Sequence, residues 1–314
     1  MRQGEISSKG AWTGNPSGGV KAPDPIILPD ATTRFARTAT RLEALAVGHP
    51  MATWLHFMAQ LSRAQQVAAN ALGHLAGPTQ AAVDLAVAAR MPPLAADGHE
   101  RDIAWHDGLA VLLDTLDVDA TTAPAREVIA ALRARAPAWV EALADGFLQS
   151  GVDVEDAGAA LYVAAALQVY FTRLAADLSV ASLRLLPERG LCPCCGSTPV
   201  AGVVTASGQT PGTRYLHCSL CATAWNHVRA MCVTCGQGRG LSLKGFEAGS
   251  DAVKAETCDD CHTYAKMLYQ AQDTQVDPFA DDLASLGLDL LVAKAGWARH
   301  APNPLLLIGA ADSL

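Results

Sequence analysis

Cysteine is absent from this chain before residue 192 and after residue 261, and all nine copies fall between those positions. That confinement argues against a disulfide-stapled secreted scaffold. In a reducing compartment it points instead to metal binding or redox work. Aromatic residues are scarce at 5%, charged ones reach only 17%, and half of the residues are hydrophobic, with alanine dominant. Such a composition suits packed helices better than a β-sandwich or a disordered chain. Positive charge is in deficit, 23 Lys and Arg against 31 Asp and Glu, for a formal net charge of −8. A global role on nucleic acid or an anionic membrane is thereby disfavoured, although a local basic patch stays open. No run reaches the roughly 20 apolar residues of a membrane span. The nearest, AGAALYVAAALQVYFTRLAADL (157–178), is preceded by Asp153, Glu155 and Asp156 and interrupted by Gln168, Arg173 and Asp177. It is expected to be a buried helix of a soluble protein. The first thirty residues contain neither an apolar signal-peptide core nor a twin arginine. A loose tail over 1–33, a cytoplasmic location and no membrane insertion are the expectations.

What is present falls into regions. Residues 34–186 carry helical signals. ATTRFARTATRLEALAVGHP begins beside the cap-competent Asp30 and Thr32 and stops at Gly48 and Pro50. In MATWLHFMAQLSRAQQVAANAL, residues Trp54, Phe57, Met58 and Leu61 recur at three- and four-residue spacings, one apolar stripe. Pro137 should kink or divide the helix written by APAREVIAALRARAPAWVEALADGFLQ. From 187 to 271 Gly, Thr, Ser and Val rise, and short runs such as PVAGVVT and TRYLHC read as small β-hairpins. Residues 272–314 bring one more amphipathic helix, with Phe279, Leu283, Leu286 and Leu290 in register and Gly296 as its stop. This segment is expected to pack on the helical domain. The fold class is therefore α+β: a helical bundle over 34–186, small metal modules over 187–229 and 230–271, and a C-terminal helix and tail.

The cysteine spacing is the most specific signal. Four C-x-x-C pairs stand at Cys192/Cys195, Cys218/Cys221, Cys232/Cys235 and Cys258/Cys261. The first pair is as far from the second as the third is from the fourth, and pairs one and three are followed by Gly196 and Gly236. The array is a duplicated unit. A C-x-x-C turn aims two thiolates at one point, and the glycine supplies the positive φ that such a knuckle needs. Two knuckles complete a tetrahedral four-sulfur site of the rubredoxin or zinc-ribbon kind. Sequential pairing assigns one metal to Cys192, Cys195, Cys218 and Cys221 and a second to Cys232, Cys235, Cys258 and Cys261. A cross-braced pairing stays open, though the equal spacing favours the sequential one. Four thiolates suit iron and zinc alike. A closed site has no open coordination position, which disfavours metal-assisted hydrolysis and an enzymatic role.

Cys194 is left over, as a spare ligand, a redox-sensitive thiol or a bystander. Trp225, four residues beyond Cys221, is expected to pack on the metal unit or, if exposed, to offer a partner contact. His217 and His262 adjoin ligand cysteines but are not needed as ligands. GQGRG (236–240) lacks the setting of a phosphate loop, and His106 beside Asp107 has no nucleophile to serve. Between 187 and 271 there are seven Lys and Arg against six Asp and Glu. Eight thiolates outweigh two divalent ions, so nucleic acid would meet net negative charge. Two readings stand beside a metal-stabilised binding module: a redox-active iron–thiolate protein and a zinc-ribbon nucleic-acid binder.

LCPCCGSTPVAGVV, RYLHCSLCATAWNHVRAMCVTCG and AETCDDCHTYAKMLYQ resemble the formate dehydrogenase accessory protein family FdhE. The resemblance continues in RLEALAVGHPMATWLHFMAQLSRAQQ, DPFADDLASLGLDLL and NPLLL, and spans residues 34–310. It implies a helical domain followed by two rubredoxin-like modules whose ligands are the eight paired cysteines. It also implies a cytoplasmic role in making respiratory formate dehydrogenase active, through contact with the catalytic subunit before twin-arginine export, and iron as a candidate metal. Ala224 and Leu305 depart from the family pattern, where an acidic residue and an aromatic are usual. The closer match of the first module suggests that it contacts the partner and that the second is mainly structural.

Overall fold

The computed structural model describes residues 22–116, 122–149, 151–207, 210–246 and 251–306. Residues 1–21 of the expected tail and 307–314 at the other end lie outside the described residues. The chain order is β1 (Ile26–Ile27), α1 (Arg34–Ala46), α2 (Ala52–Ala71), α3 (Gln80–Ala88), α4 (Trp105–Thr115), α5 (Ala123–Arg133), α6 (Pro137–Leu148) and α7 (Ala157–Ala176). There follow β2 (Pro199–Val204), β3 (Arg214–Cys218), β4 (Ala224–Asn226), β5 (Leu241–Lys244), β6 (Val253–Cys258), β7 (Thr263–Tyr269), α8 (Ala280–Ala284), α9 (Leu286–Lys294) and β8 (Ala298–Arg299).

The helices form where the sequence supplies starts and stops. Asp30 accepts hydrogen bonds from the backbone N–H of Thr32 at 3.0 Å and the hydroxyl of Thr33 at 2.6 Å, fixing the entry to α1. Pro137 sits in the first turn of α6, so the predicted single helix is divided into α5 and α6. The stripe of α2 is rotated slightly from expectation: Leu55, Met58, Ala59 and Ser62 are buried, while Trp54 and Phe57 are half-buried. Helix α7 is apolar on all sides because it runs through the middle of the bundle. Its length and composition would let it cross a membrane, but 78% of that apolar window is buried inside the fold.

The β region corrects the expectation of separate small hairpins. Its strands join one eight-stranded sheet in the order β1-β4-β3-β2-β7-β6-β5, with β8 also on β7. The units written by the duplication, β2-β3-β4 and β5-β6-β7, meet where β2 runs parallel to β7, with Gly202 opposite Met267 and Val204 opposite Tyr269. All six residues of β2 are buried. A methyl group at Gly202 would stand 2.5 Å from the Met267 sulfur, so a side chain there would force Met267 to move.

The N-terminal segment is also corrected. Ile26 and Ile27 pair with Trp225 and Ala224, and Ile26 is buried, so residues 26–33 belong to the fold rather than to a loose tail. The predicted C-terminal helix is broken at Ser285, whose hydroxyl donates to the Asp281 carbonyl. The two halves then face different neighbours. α8 docks on α1, where Arg41 clasps Asp281 and Asp273 at 2.6 Å each. α9 packs Leu288 and Val292 against Ala255 and Tyr264 of the sheet, and Leu290, expected in the stripe, is exposed.

Gly190, in the segment entering the sheet, touches the third knuckle so closely that an added Cβ would lie 2.3 Å from the Val233 carbonyl oxygen. Backbone cannot swing aside as a side chain can. Gly190→Ala should therefore cost about 2 kcal/mol in urea unfolding, whereas Gly73→Ala should stay within about 0.5 kcal/mol, since an added Cβ at Gly73 meets nothing within 4 Å. Equal effects would mean that the Gly190 contact yields without cost.

Two candidate tetrathiolate centres

The four knuckles come together in sequence order. The sulfurs of Cys192, Cys195, Cys218 and Cys221 lie within 4.8 Å of one another, as do those of Cys232, Cys235, Cys258 and Cys261. In the first group Cys192–Cys221 and Cys195–Cys218 are 3.5 and 3.3 Å apart. In the second, Cys232–Cys261 and Cys235–Cys258 are 3.7 and 3.8 Å apart. A tetrahedral ion with bonds of about 2.3 Å to sulfur requires sulfur–sulfur separations of about 3.8 Å. These two separations in the second group match that spacing, and those in the first are a few tenths of an ångström shorter. The cross-braced pairing is not the one adopted.

Local backbone geometry explains how each pair of thiols is aimed. Gly196 and Gly236 have φ of +79° and +71°, and their N–H groups bond the carbonyls of Cys192 and Cys232. The N–H groups of Cys194 and Thr234 point at the sulfurs of Cys192 and Cys232, each at 3.4 Å. After the second and fourth pairs, Ala222 and His262 take φ of +60° and +54° without being glycine, a strain that a closed loop can sustain. Two residues beyond Cys221 and Cys261, the hydroxyls of Thr223 and Thr263 lie 3.2 and 3.0 Å from the sulfurs. These threonines were missed in the sequence, although the shared C-x-T in CAT and CHT is visible there.

The two centres differ in their surroundings. All five cysteines of the first module are buried at 0–1% exposure within the core shared with the helices. The loop after α3 donates the N–H groups of Leu94 and Ala96 to the carbonyls of Cys194 and Cys195. From α7, Gln168 donates to the Ser219 carbonyl at 2.8 Å and is itself held by Gln65 at 3.0 Å. In the second centre Cys232 and Cys258 are buried, Cys261 is half-buried and Cys235 is exposed. The cysteines of the second centre are thus the more accessible ones.

A buried cation also lies within electrostatic reach of the first centre. Arg34 is 5% exposed, stacks between the rings of Phe35 and Phe279 at 4.0 and 3.8 Å, and leaves Nε and Nη2 without hydrogen-bond partners. Burial pushes its guanidinium down to about 10, while Asp277, Cys218 and Cys221 pull the other way. It stays charged at neutral pH. Four thiolates around a divalent ion carry net negative charge, which a nearby buried arginine would offset in part. The donor set and the buried cation nearby both fit a metal. An ion held by these residues would supply a cross-link among four chain segments.

The remaining candidates fall elsewhere. Cys194 is fully buried and outside the four-sulfur group, which removes the accessible redox thiol. Trp225 is also fully buried, with its indole N–H donated to the Arg189 carbonyl at 2.8 Å, so it cannot be a partner contact. It packs where β1 covers β4. Burial, with Arg37 and Arg34 nearby, pushes His217 down to about 4, which keeps it neutral. His106 bonds Glu141 rather than Asp107, at 2.7 Å.

Three family models cover the chain in succession: FdhE N-terminal over 23–187, FdhE central domain over 191–229 and FdhE C-terminal domain over 230–306. The chain belongs to the FdhE family. An FdhE homolog of Edwardsiella ictaluri is 39% identical over 288 residues, covering 91% of this chain and 92% of that protein. The homolog of Rhizobium meliloti is 36% identical, covering 92% and 95%. Protein FdhE of Escherichia coli is 36% identical, covering 91% and 92%. The crystal structure of the FdhE protein from Pseudomonas aeruginosa superposes with a TM-score of 0.78 at 32% identity, over 91% of this chain and all of that one. The FdhE family thus accounts for the helical domain and both cysteine modules together.

Proposed function

We propose that this protein is a non-enzymatic accessory factor in the maturation of respiratory formate dehydrogenase. It works in the cytoplasm by binding the catalytic subunit before export, and it holds two metal ions, iron or zinc, one in each four-cysteine centre. The observation that carries this reading is membership of the FdhE family along nearly the whole chain, with both cysteine groups assembled. The closed donor sets favour cross-linking over catalysis, since four thiolates leave no coordination position for a substrate.

Recovery of the formate dehydrogenase catalytic subunit is the expected result when this protein is the bait in an anaerobic pull-down from formate-respiring cells. Its absence, with the bait intact and metal-loaded, would sink the partner assignment. An exposed iron–thiolate centre would favour the redox reading instead, with visible absorbance on oxidation as its signature.

A further inference from the structure

We propose that the two centres are kinetically unequal: the first locks its metal in place, and the second exchanges its metal or a ligand with a thiol or chelator from outside. The proposal rests on the metal-binding part of the function above and adds where outside chemistry can reach.

Any ligand exchange at a tetrathiolate ion begins with an incoming donor approaching the metal, or with one sulfur leaving it. At the first centre neither step is open. Its cysteines are 0–1% exposed, and the knuckle carbonyls of Cys194, Cys195 and Ser219 are tied to the helical domain. A cleft of about 410 Å³ runs past Cys195 and Gly196, lined also by Met91, Leu148 and Leu186, yet Cys195 itself is only 1% exposed. A sulfur can leave only if the core between helices and sheet opens.

At the second centre Cys235 is exposed and Cys261 is half-buried. They come from different pairs, one on each half of the site, so an incoming donor can approach between them. The knuckle around Cys235 is exposed from Thr234 through Gly240. Its side-chain hydrogen bonds to the rest of the fold run through the Thr234 hydroxyl, bonded to Thr263 and His300 at 2.7 Å each, and the neighbouring Val233 is buried. Cys232 and Cys258 stay buried beneath as the fixed half of the site. Exchange needs no redox partner: an outside thiolate bonds the metal as the Cys235 thiolate leaves it and takes up a proton.

The full-length chain loaded with two equivalents of Zn²⁺ and mixed with excess 4-(2-pyridylazo)resorcinol should release zinc in two equal phases. Local openings span a wide range of free energy within one fold, so the phases should differ by about 100-fold in rate. Iodoacetamide with peptide mapping should modify Cys235 and Cys261 in the fast phase and Cys192, Cys195, Cys218 and Cys221 only in the slow one. Cys235→Ser should accelerate the fast equivalent and leave the slow one unchanged. One common release phase, or early labelling in the first centre, overturns the inequality while leaving metal binding intact. A chain that takes up no metal overturns both.

Discussion

Replacing Cys195 by serine should unfold the helical domain as well as the sheet, whereas replacing Cys235 should leave the helical circular-dichroism signal at its wild-type level. The reason is the shared core. Cys192, Cys195, Cys218 and Cys221 pack in one cluster with Leu61, Leu167, Phe171 and Trp225, so the first centre is part of what α2 and α7 are built on. Structural zinc in small modules supplies on the order of 10 kcal/mol at neutral pH, comparable with the about 5–15 kcal/mol stability of a whole domain. A serine there also leaves three buried thiols without their ion, beside the charge of Arg34. The second centre has one exposed and one half-buried ligand, and none of its four cysteines belongs to the core shared with the helices. Far-UV spectra and thermal melts of both variants test this. A folded helical domain in Cys195→Ser, or equal damage from Cys235→Ser, would refute it.

Asp282→Ala is the second large effect, and it arises far from any cysteine. The Asp282 side chain is fully buried and its carboxylate is bonded by Lys266 at 3.1 Å, by Asn303 at 2.8 Å and by Arg299. Lys266, also fully buried, reaches Asp289 at 2.6 Å as well, and Tyr264 donates to Asp289 at 2.7 Å. The cluster fastens β7, α8, α9 and β8 together. Removing Asp282 leaves two cations buried with one acid between them, a defect that costs about 3–5 kcal/mol. Urea unfolding measures it, and a loss below about 1 kcal/mol would show that water enters and compensates. Its pH dependence follows from the same contacts. Burial alone would raise the Asp282 carboxyl, but Lys266 and Arg299 outweigh it and hold it below the usual carboxylate range. Its contribution is therefore full above the unfolded value and is lost as pH falls through the lower folded one. The alanine variant should lack that part of the acid sensitivity.

The sequence was most legible where chemistry fixes spacing. Four knuckles, their glycines and their sequential pairing could be read because a tetrahedral site tolerates few arrangements of C-x-x-C. Helix starts and stops at Asp30, Pro137 and Gly296 were legible for the same local reason. What was hidden depends on contacts between distant segments. Ile26 and Ile27 stand among Gly, Ser and Pro and became a strand only because β4 offers them a partner. The parallel pairing of β2 with β7 joins residues more than sixty positions apart, and no local pattern announces it. Charged residues read as surface, so Asp282, Lys266 and Arg34 gave no sign of burial. For Trp225 and Cys194 the sequence left packing and reactive or contact roles open, and their burial decides for packing.

The parallel seam of β2 and β7 has a consequence for how the chain can be divided. A fragment ending near residue 229 would keep the first centre whole but strip β7 from β2, baring the backbone donors and acceptors of a strand buried along its full length. Unpaired apolar strands of this kind are templates for aggregation. The repeat is thus two units in its cysteines and one unit in its solubility, each half acting as the other's protective cover.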